Sequence, residues 1–220
     1  MVDWGVVTSS GRLVDVLGRV NDTYPWDHNA HFHPWLLRQL PRRFGRALDV
    51  GCGAGELARK LAGRAERVTG VDADPEILER AREAGGAVAD VEYSLGAAPD
   101  GLPPGPYDVI TCVAVLHHLP FTDALTRFRR ELAPGGTLVV VGCARDEDVR
   151  GMVSLALNPL FGLVKNRGRA AVRRPVAMTA PTRQPEMTFS EIAAQARRLL
   201  PGVRLRRRLF WRYTLVWHAP

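Results

Sequence analysis

This chain is short of cysteine, of long apolar runs and, in its C-terminal third, of acidic residues. Its three cysteines, Cys52, Cys112 and Cys143, are odd in number, lack metal-ligand spacing and fall at the ends of predicted strands. That sets aside a disulfide framework and a cysteine metal site and leaves reduced thiols as the expectation. The longest apolar stretch, Met152 to Val164, is broken at Pro159, and no basic segment followed by an apolar one opens the chain. A transmembrane span and a secretory leader are therefore not expected, and the reading is a cytoplasmic protein. Residues 145–220 carry 5 acidic against 15 basic side chains and residues 1–144 carry 18 against 15, so the net charge of +7 is wholly C-terminal. Such asymmetry fits nucleic acid, an anionic membrane surface, an acidic substrate or a merely solvated arginine face. Internal repeats and low-complexity linkers are also lacking.

What is present fits one α/β domain with a modest elaboration: 220 residues, 46% of them hydrophobic. The stretch from Arg46 to Lys60 organises it. Ala47 to Val50 reads as a buried strand, Leu57, Ala58, Leu61 and Ala62 fall at helical spacing, and Gly51, Gly53 and Gly55 form the joint. Glycine there permits a tight turn and removes the Cβ that would hold a ligand away, while the following helix points free N–H groups at whatever lies over the turn. The next strand, Arg67 to Val71, ends at Asp72, an acid placed to accept both hydroxyls of a ribose. Glu56 stands where a dinucleotide fingerprint has its last glycine, and this disfavours a nicotinamide or flavin dinucleotide.

Further along, Asp74 is an N-cap candidate with Pro75 at the first helical position, Ile77, Leu78 and Ala81 form the stripe, and Gly85 ends the helix. Strands are expected over Val91–Leu95, Tyr107–Val113 and Thr137–Gly142. A helix capped by Thr122 bears Leu125, Phe128 and Leu132. Thr188 with Glu191 forms a capping box for a helix over Phe189–Leu200, and Val203–Leu209 pairs with Arg212–His218 as a closing antiparallel hairpin. Residues 1–45 read as an N-terminal arm and lid, residues 46–220 as the main domain, and residues 144–186 as an inserted lid. In the aromatic and histidine-rich run before the first strand, a helix would put His28, His31, Phe32 and Trp35 on one face and His33 elsewhere. No Cys or carboxylate pattern accompanies these histidines, so no metal site is assigned, and packing or substrate contact is expected.

The run Asp49-Val50-Gly51-Cys52-Gly53-Ala54-Gly55, with Val71-Asp72 after it, resembles motif I and the acidic second strand of class I S-adenosylmethionine-dependent methyltransferases. The resemblance continues through Tyr107-Asp108-Val109-Ile110, Val115-Leu116-His117-His118-Leu119 and Leu132-Ala133-Pro134-Gly135-Gly136-Thr137-Leu138. It implies a Rossmann-like sheet of seven strands, mostly parallel with a C-terminal antiparallel hairpin, and S-adenosyl-L-methionine as cofactor. It also implies a cofactor site of Asp49, Gly51, Cys52, Gly53, Gly55, Asp72, Ala73, Ala97, Ala98, Val113 and Ala114. The family commonly has Gly-Asp-Ala after strand three, where this chain has Gly96-Ala97-Ala98, so the acid that reads adenine is missing and backbone N–H groups of Ala97 or Ala98 are the substitutes. Tyr24, Trp26, His28, His31 and His33 are the candidate acceptor contacts, and His117 and His118, at the carboxyl edge of strand four, the candidate bases. The expected reaction is in-line methyl transfer to an oxygen or nitrogen of a small molecule, a natural product or secondary metabolite with a hydrophobic body and an anionic group. An RNA methyltransferase or nucleic-acid binder using the basic C-terminal part, and a non-catalytic S-adenosylmethionine-binding protein, are the alternatives.

Overall fold

The structure, a computed structural model, describes residues 28–85, 90–145, 164 and 184–220. Its strands are β1 (Phe44–Val50), β2 (Ala65–Asp72), β3 (Val91–Leu95), β4 (Tyr107–Val113), β5 (Leu132–Cys143), β6 (Arg204–Arg207) and β7 (Arg212–His218). They form one sheet in the order β3-β2-β1-β4-β5-β7-β6. The first five are parallel, and β7 lies antiparallel between β5 and β6. The seven-stranded sheet with its antiparallel end is the one the sequence implies. The chain winds outward from β1 to β3 and returns to β4 beside β1, so a crevice opens beyond the carboxyl ends of β1 and β4, where open α/β sheets take ligands.

Alternation along the central strands sorts side chains between two core layers. Leu48, Val50, Ile110 and Cys112 face a layer with Leu125, Phe128, Ile192 and Trp217, which holds α4 (Phe121–Glu131) and α5 (Phe189–Leu199) against the sheet. Ala47, Val109 and Val139 face the other, with Leu57 and Leu61 of α2 (Glu56–Ala62) and Phe32 and Leu36 around α1 (His33–Leu37). A further helix, α3 (Pro75–Gly85), begins as expected: Asp74 Oδ1 accepts from the N–H groups of Glu76 (2.9 Å) and Ile77 (3.3 Å). The capping box on α5 is complete, with Glu191 N donating to Thr188 Oγ1 and Thr188 N donating to Glu191 Oε2.

Three expectations are corrected. Thr122 is not a cap: α4 starts at Phe121 after Pro120, and the Thr122 hydroxyl reaches Gln195 of α5. Leu132 caps the helix by donating its N–H to Phe128 O but has extended backbone and pairs with Tyr107, so it opens β5 rather than adding to the helix stripe. In the histidine-rich run, Pro34 falls within the first two positions of α1 and a 3-10 turn, Ala30–Phe32, precedes it. The period therefore changes, and the buried set is Phe32, His33, Leu36 and Leu40. Phe32 and Leu36 thereby join the core layer on β1. The expected insertion 144–186 falls mostly outside the described residues, as do residues 1–23, but its flanks meet: Arg145 N donates to Met187 O at 2.9 Å.

Candidate cofactor and acceptor site

At the end of β1 the chain turns through Gly51, Gly53 and Gly55, all with positive φ (68°, 53° and 74°), while Gly51 N and Cys52 N both donate to Val71 O. The three glycines are required for different reasons. A Cβ on Gly51 would run into the Val115 side chain and one on Gly55 into the Tyr93 hydroxyl, so these two admit protein packing; one on Gly53 would meet nothing within 4 Å. Gly53 thus keeps its face open to a cavity of about 770 Å³ that the turn borders. Two ties hold the turn. Gly53 N donates to Asp72 Oδ2 at 2.8 Å, and Arg59 of α2 donates back to Ala54 O at 2.8 Å.

Asp72, at the end of β2, also accepts from Asp74 N at 3.1 Å and lines the cavity with Ala73 and Asp74. Beneath the turn lies Asp49, 2% exposed. Its Oδ1 accepts from Thr111 Oγ1 at 2.7 Å, while Oδ2 is buried with no hydrogen-bond partner. Burial, chiefly, pushes its carboxyl up to about 7; the bond from Thr111 opposes the shift and the neighbouring Asp72 charge adds to it.

Gly96, Ala97 and Ala98, which follow β3, and Ile77 and Arg80 of α3 also line the cavity. The sequence reading put Ile77 in the core stripe, but Leu78 and Ala81 are the buried pair and Ile77 turns to the cavity. Arg80 was not foreseen. Val113 and Ala114, at and just beyond the end of β4, line the cavity too. Asp49, Cys52 and Gly55 lie under or beside the turn and are not in the wall itself. The thiols of Cys52 and Cys112 are pushed up by burial, that of Cys112 to about 12, so both stay protonated, and all three cysteines are free.

Val115, His118, Leu119 and Asn29 also line the cavity. The adjacent histidines have separate placements. His118 lines the cavity; His117 does not, its ring 4.0 Å from that of His118 and its Nδ1 buried without a hydrogen-bond partner. Burial first, then the charges of His118 and Arg212, hold His117 down at about 4, so it is neutral at ordinary pH. Of the expected acceptor contacts, Tyr24 and Trp26 lie outside the described residues. His28 packs edge-on against Phe210, His31 against Phe32, and His33 is buried beside Lys60 Nζ (3.1 Å) and Glu56 Oε1 (3.7 Å). None of the three histidines lines the cavity; their neighbour Asn29 does, which no spacing rule singled out. Among the described residues no three His, Cys, Asp or Glu side chains converge as metal ligands, and no helix is long and apolar enough to cross a membrane.

These residues fit S-adenosylmethionine. Gly53 leaves a face that a Cβ would fill, and Asp72 offers carboxylate acceptors in the wall. A family model described as a methyltransferase domain matches residues 48–140. An uncharacterized methyltransferase of Mycobacterium tuberculosis is 34% identical over 199 residues, covering 89% of this chain and 98% of that protein. A ubiquinone biosynthesis O-methyltransferase of Thiobacillus denitrificans is 34% identical over 128 residues, 50% of this chain and 54% of that one. Among solved structures, the DhpI-SAM-HEP complex is similar in fold, with a TM-score of 0.59 at 20% identity and full coverage of both chains. On the glycine turn, the acid closing β2, the reversal of strand order at the crevice and these likenesses together, the chain belongs to the class I S-adenosylmethionine-dependent methyltransferases.

Proposed function

We propose that the chain methylates a small molecule, at an oxygen or nitrogen atom, in the cytoplasm. The observation that carries this reading is the continuity of the cavity. The space walled by Gly53 and Asp72 runs on to His118 and Asn29 without a break, and its 770 Å³ lies in the usual range of small-molecule sites, about 300–1,000 Å³. When bound, S-adenosylmethionine supplies an electrophilic methyl group on a sulfonium sulfur. The chain supplies alignment and dryness. Gly53, Asp72, Ala97 and Ala98 hold the cofactor, Val113 and Ala114 stand where the two ligands meet, and the apolar Val115 and Leu119 keep water from the acceptor.

His118 is the residue placed to take a proton from a hydroxyl acceptor as the new bond to carbon forms; a neutral amine needs no base before transfer. Similarity over half the chain to an O-methyltransferase favours oxygen. The test is product formation from S-adenosylmethionine across panels of phenols, carboxylic acids, amines and RNA. Turnover with a small molecule is expected. Methyl incorporation into RNA alone, steeply weakened by salt, would replace this reading with an RNA methyltransferase.

A further inference from the structure

Helix α3 carries two arginines with different roles. Arg82 is spent on protein: it donates to Glu79 Oε1 (2.6 Å) and to the carbonyl oxygen of Tyr93 in β3 (3.0 Å). Arg80 is exposed, lines the cavity, and among the described residues makes no hydrogen bond, ion pair or ring contact. Ile77, three residues earlier and so on the same side of the helix, lines the cavity with it. An apolar side chain beside an uncommitted guanidinium suits a flat aromatic ring, because arginine is attracted to the π face and donates to acceptors on the ring edge.

The strand order decides which part of the cofactor meets this surface. Asp72 stands between two ties: its Oδ2 accepts from Gly53 N (2.8 Å), and its backbone oxygen accepts from Gly96 N (2.9 Å). The Gly53 side leads from β1 to Val113 and Ala114 by β4, where the proposed methyl transfer takes place, and the Gly96 side leads to β3 and α3. Base and sulfur are attached to opposite ends of a ribose, so with the ribose on Asp72 and the sulfonium on the Gly53 side, the base falls on the β3 side. There Ala97 and Ala98 bring no polar side chain, and Ala97 O is already taken by Gly101 N at 2.7 Å. Of the side chains that line this side, Arg80 is the one that donates hydrogen bonds and accepts none.

We propose that Arg80 is a specificity-determining residue of the cofactor site, contacting the purine base through its π face and its ring acceptors. A guanidinium only donates, and so does the 6-amino group of adenine; N7 accepts, as does the oxygen that replaces the amino group in hypoxanthine. The site is therefore tolerant of a 6-oxopurine. This rests on S-adenosylmethionine occupying the cavity and is independent of which acceptor is methylated.

The test is calorimetry on the full chain with S-adenosylhomocysteine and S-inosylhomocysteine, which differ in the base alone. The wild type is expected to bind the two within about 3-fold of each other. Arg80→Leu loses the charge and the donors and should weaken both by about 5-fold. Arg80→Glu puts acceptors where the donors stood and should favour the adenosyl ligand by about 10-fold. Damage to the fold would not change the preference, because it would weaken both ligands alike. A wild-type preference for the adenosyl ligand above about 3-fold would mean that an acceptor reads the amino group. Arg80→Leu affinities equal to those of the wild type would make Arg80 a solvated surface cation, and an unaltered ratio in Arg80→Glu would place the base away from it. Each of these results overturns the proposal while leaving cofactor binding in place. If the wild type bound neither ligand, the methyltransferase reading would fall as well.

Discussion

At the cofactor end of the cavity, one continuous piece of chain from Asp49 to Asp74 provides the buried acid, the open glycine, the acid in the wall and the cap of the next helix. At the acceptor end, Asn29 comes from ahead of β1 and Ala114 and His118 from the segment after β4, and Asn29 is tied by a single long-range bond to Arg212 of β7, outside the wall. The cofactor end depends on backbone conformation and hydrogen bonds between near neighbours, so a common ligand can be served by a common motif. The acceptor end depends on side chains brought together by the sheet, so it can vary while the first stays fixed.

The largest effect that would sharpen the contrast is in the glycine turn. Gly55→Ala adds a Cβ that meets Tyr93 at φ 74°, and a loss of roughly 3–5 kcal/mol of stability is expected from strain plus overpacking. Gly53→Ala, with open space around it, should cost about 1–2 kcal/mol yet weaken S-adenosylmethionine binding. Urea denaturation and calorimetry separate the two; similar stability losses would mean that the packing argument is wrong.

Next in size is the division between the histidines. His118→Ala should lower the single-turnover rate with a hydroxyl acceptor by about 100-fold or more, and His117→Ala, outside the wall, by much less. If the pH–rate profile changes in His117→Ala and not in His118→Ala, the acceptor end has been read from the wrong side.

At the cofactor end, Asp72→Ala removes both a wall carboxylate and the acceptor for Gly53 N. S-adenosylmethionine affinity should fall by roughly 1.5–3 kcal/mol. Unchanged affinity in a folded variant, by calorimetry, would mean that the ribose is held elsewhere.

The smallest effect is a slope. Because burial lifts the folded-state pKa of Asp49 to about 7, above its ordinary value, its contribution to cofactor-free stability is fully present below the ordinary carboxylate range and lost as pH rises through 7. Thermal midpoints of the wild type should therefore fall relative to Asp49→Asn between about pH 5 and about pH 8, and saturating S-adenosylmethionine should reduce that fall. Parallel curves for the two proteins would mean that the Asp49 charge is already compensated without ligand.

Much of this molecule was legible in one dimension because the relevant signals are local. The Gly51–Gly55 joint, Asp72 seventeen residues on, the Asp74 cap and the Thr188–Glu191 box each depend on neighbours within a turn or a strand. The sheet topology followed from the motifs that the chain shares with its family. Tertiary structure decided what spacing cannot express. Only packing showed that Gly51 and Gly55 admit Val115 and Tyr93 while Gly53 faces the cavity, that Ile77 leaves its helix stripe to line the wall, and that of two adjacent histidines only His118 reaches it. The meeting of Arg212 with Asn29, 183 residues apart, exists because β7 runs antiparallel beside β5 and sets Arg212 opposite Cys143. A pairing register of that kind is fixed by the whole sheet and written in no short stretch of sequence.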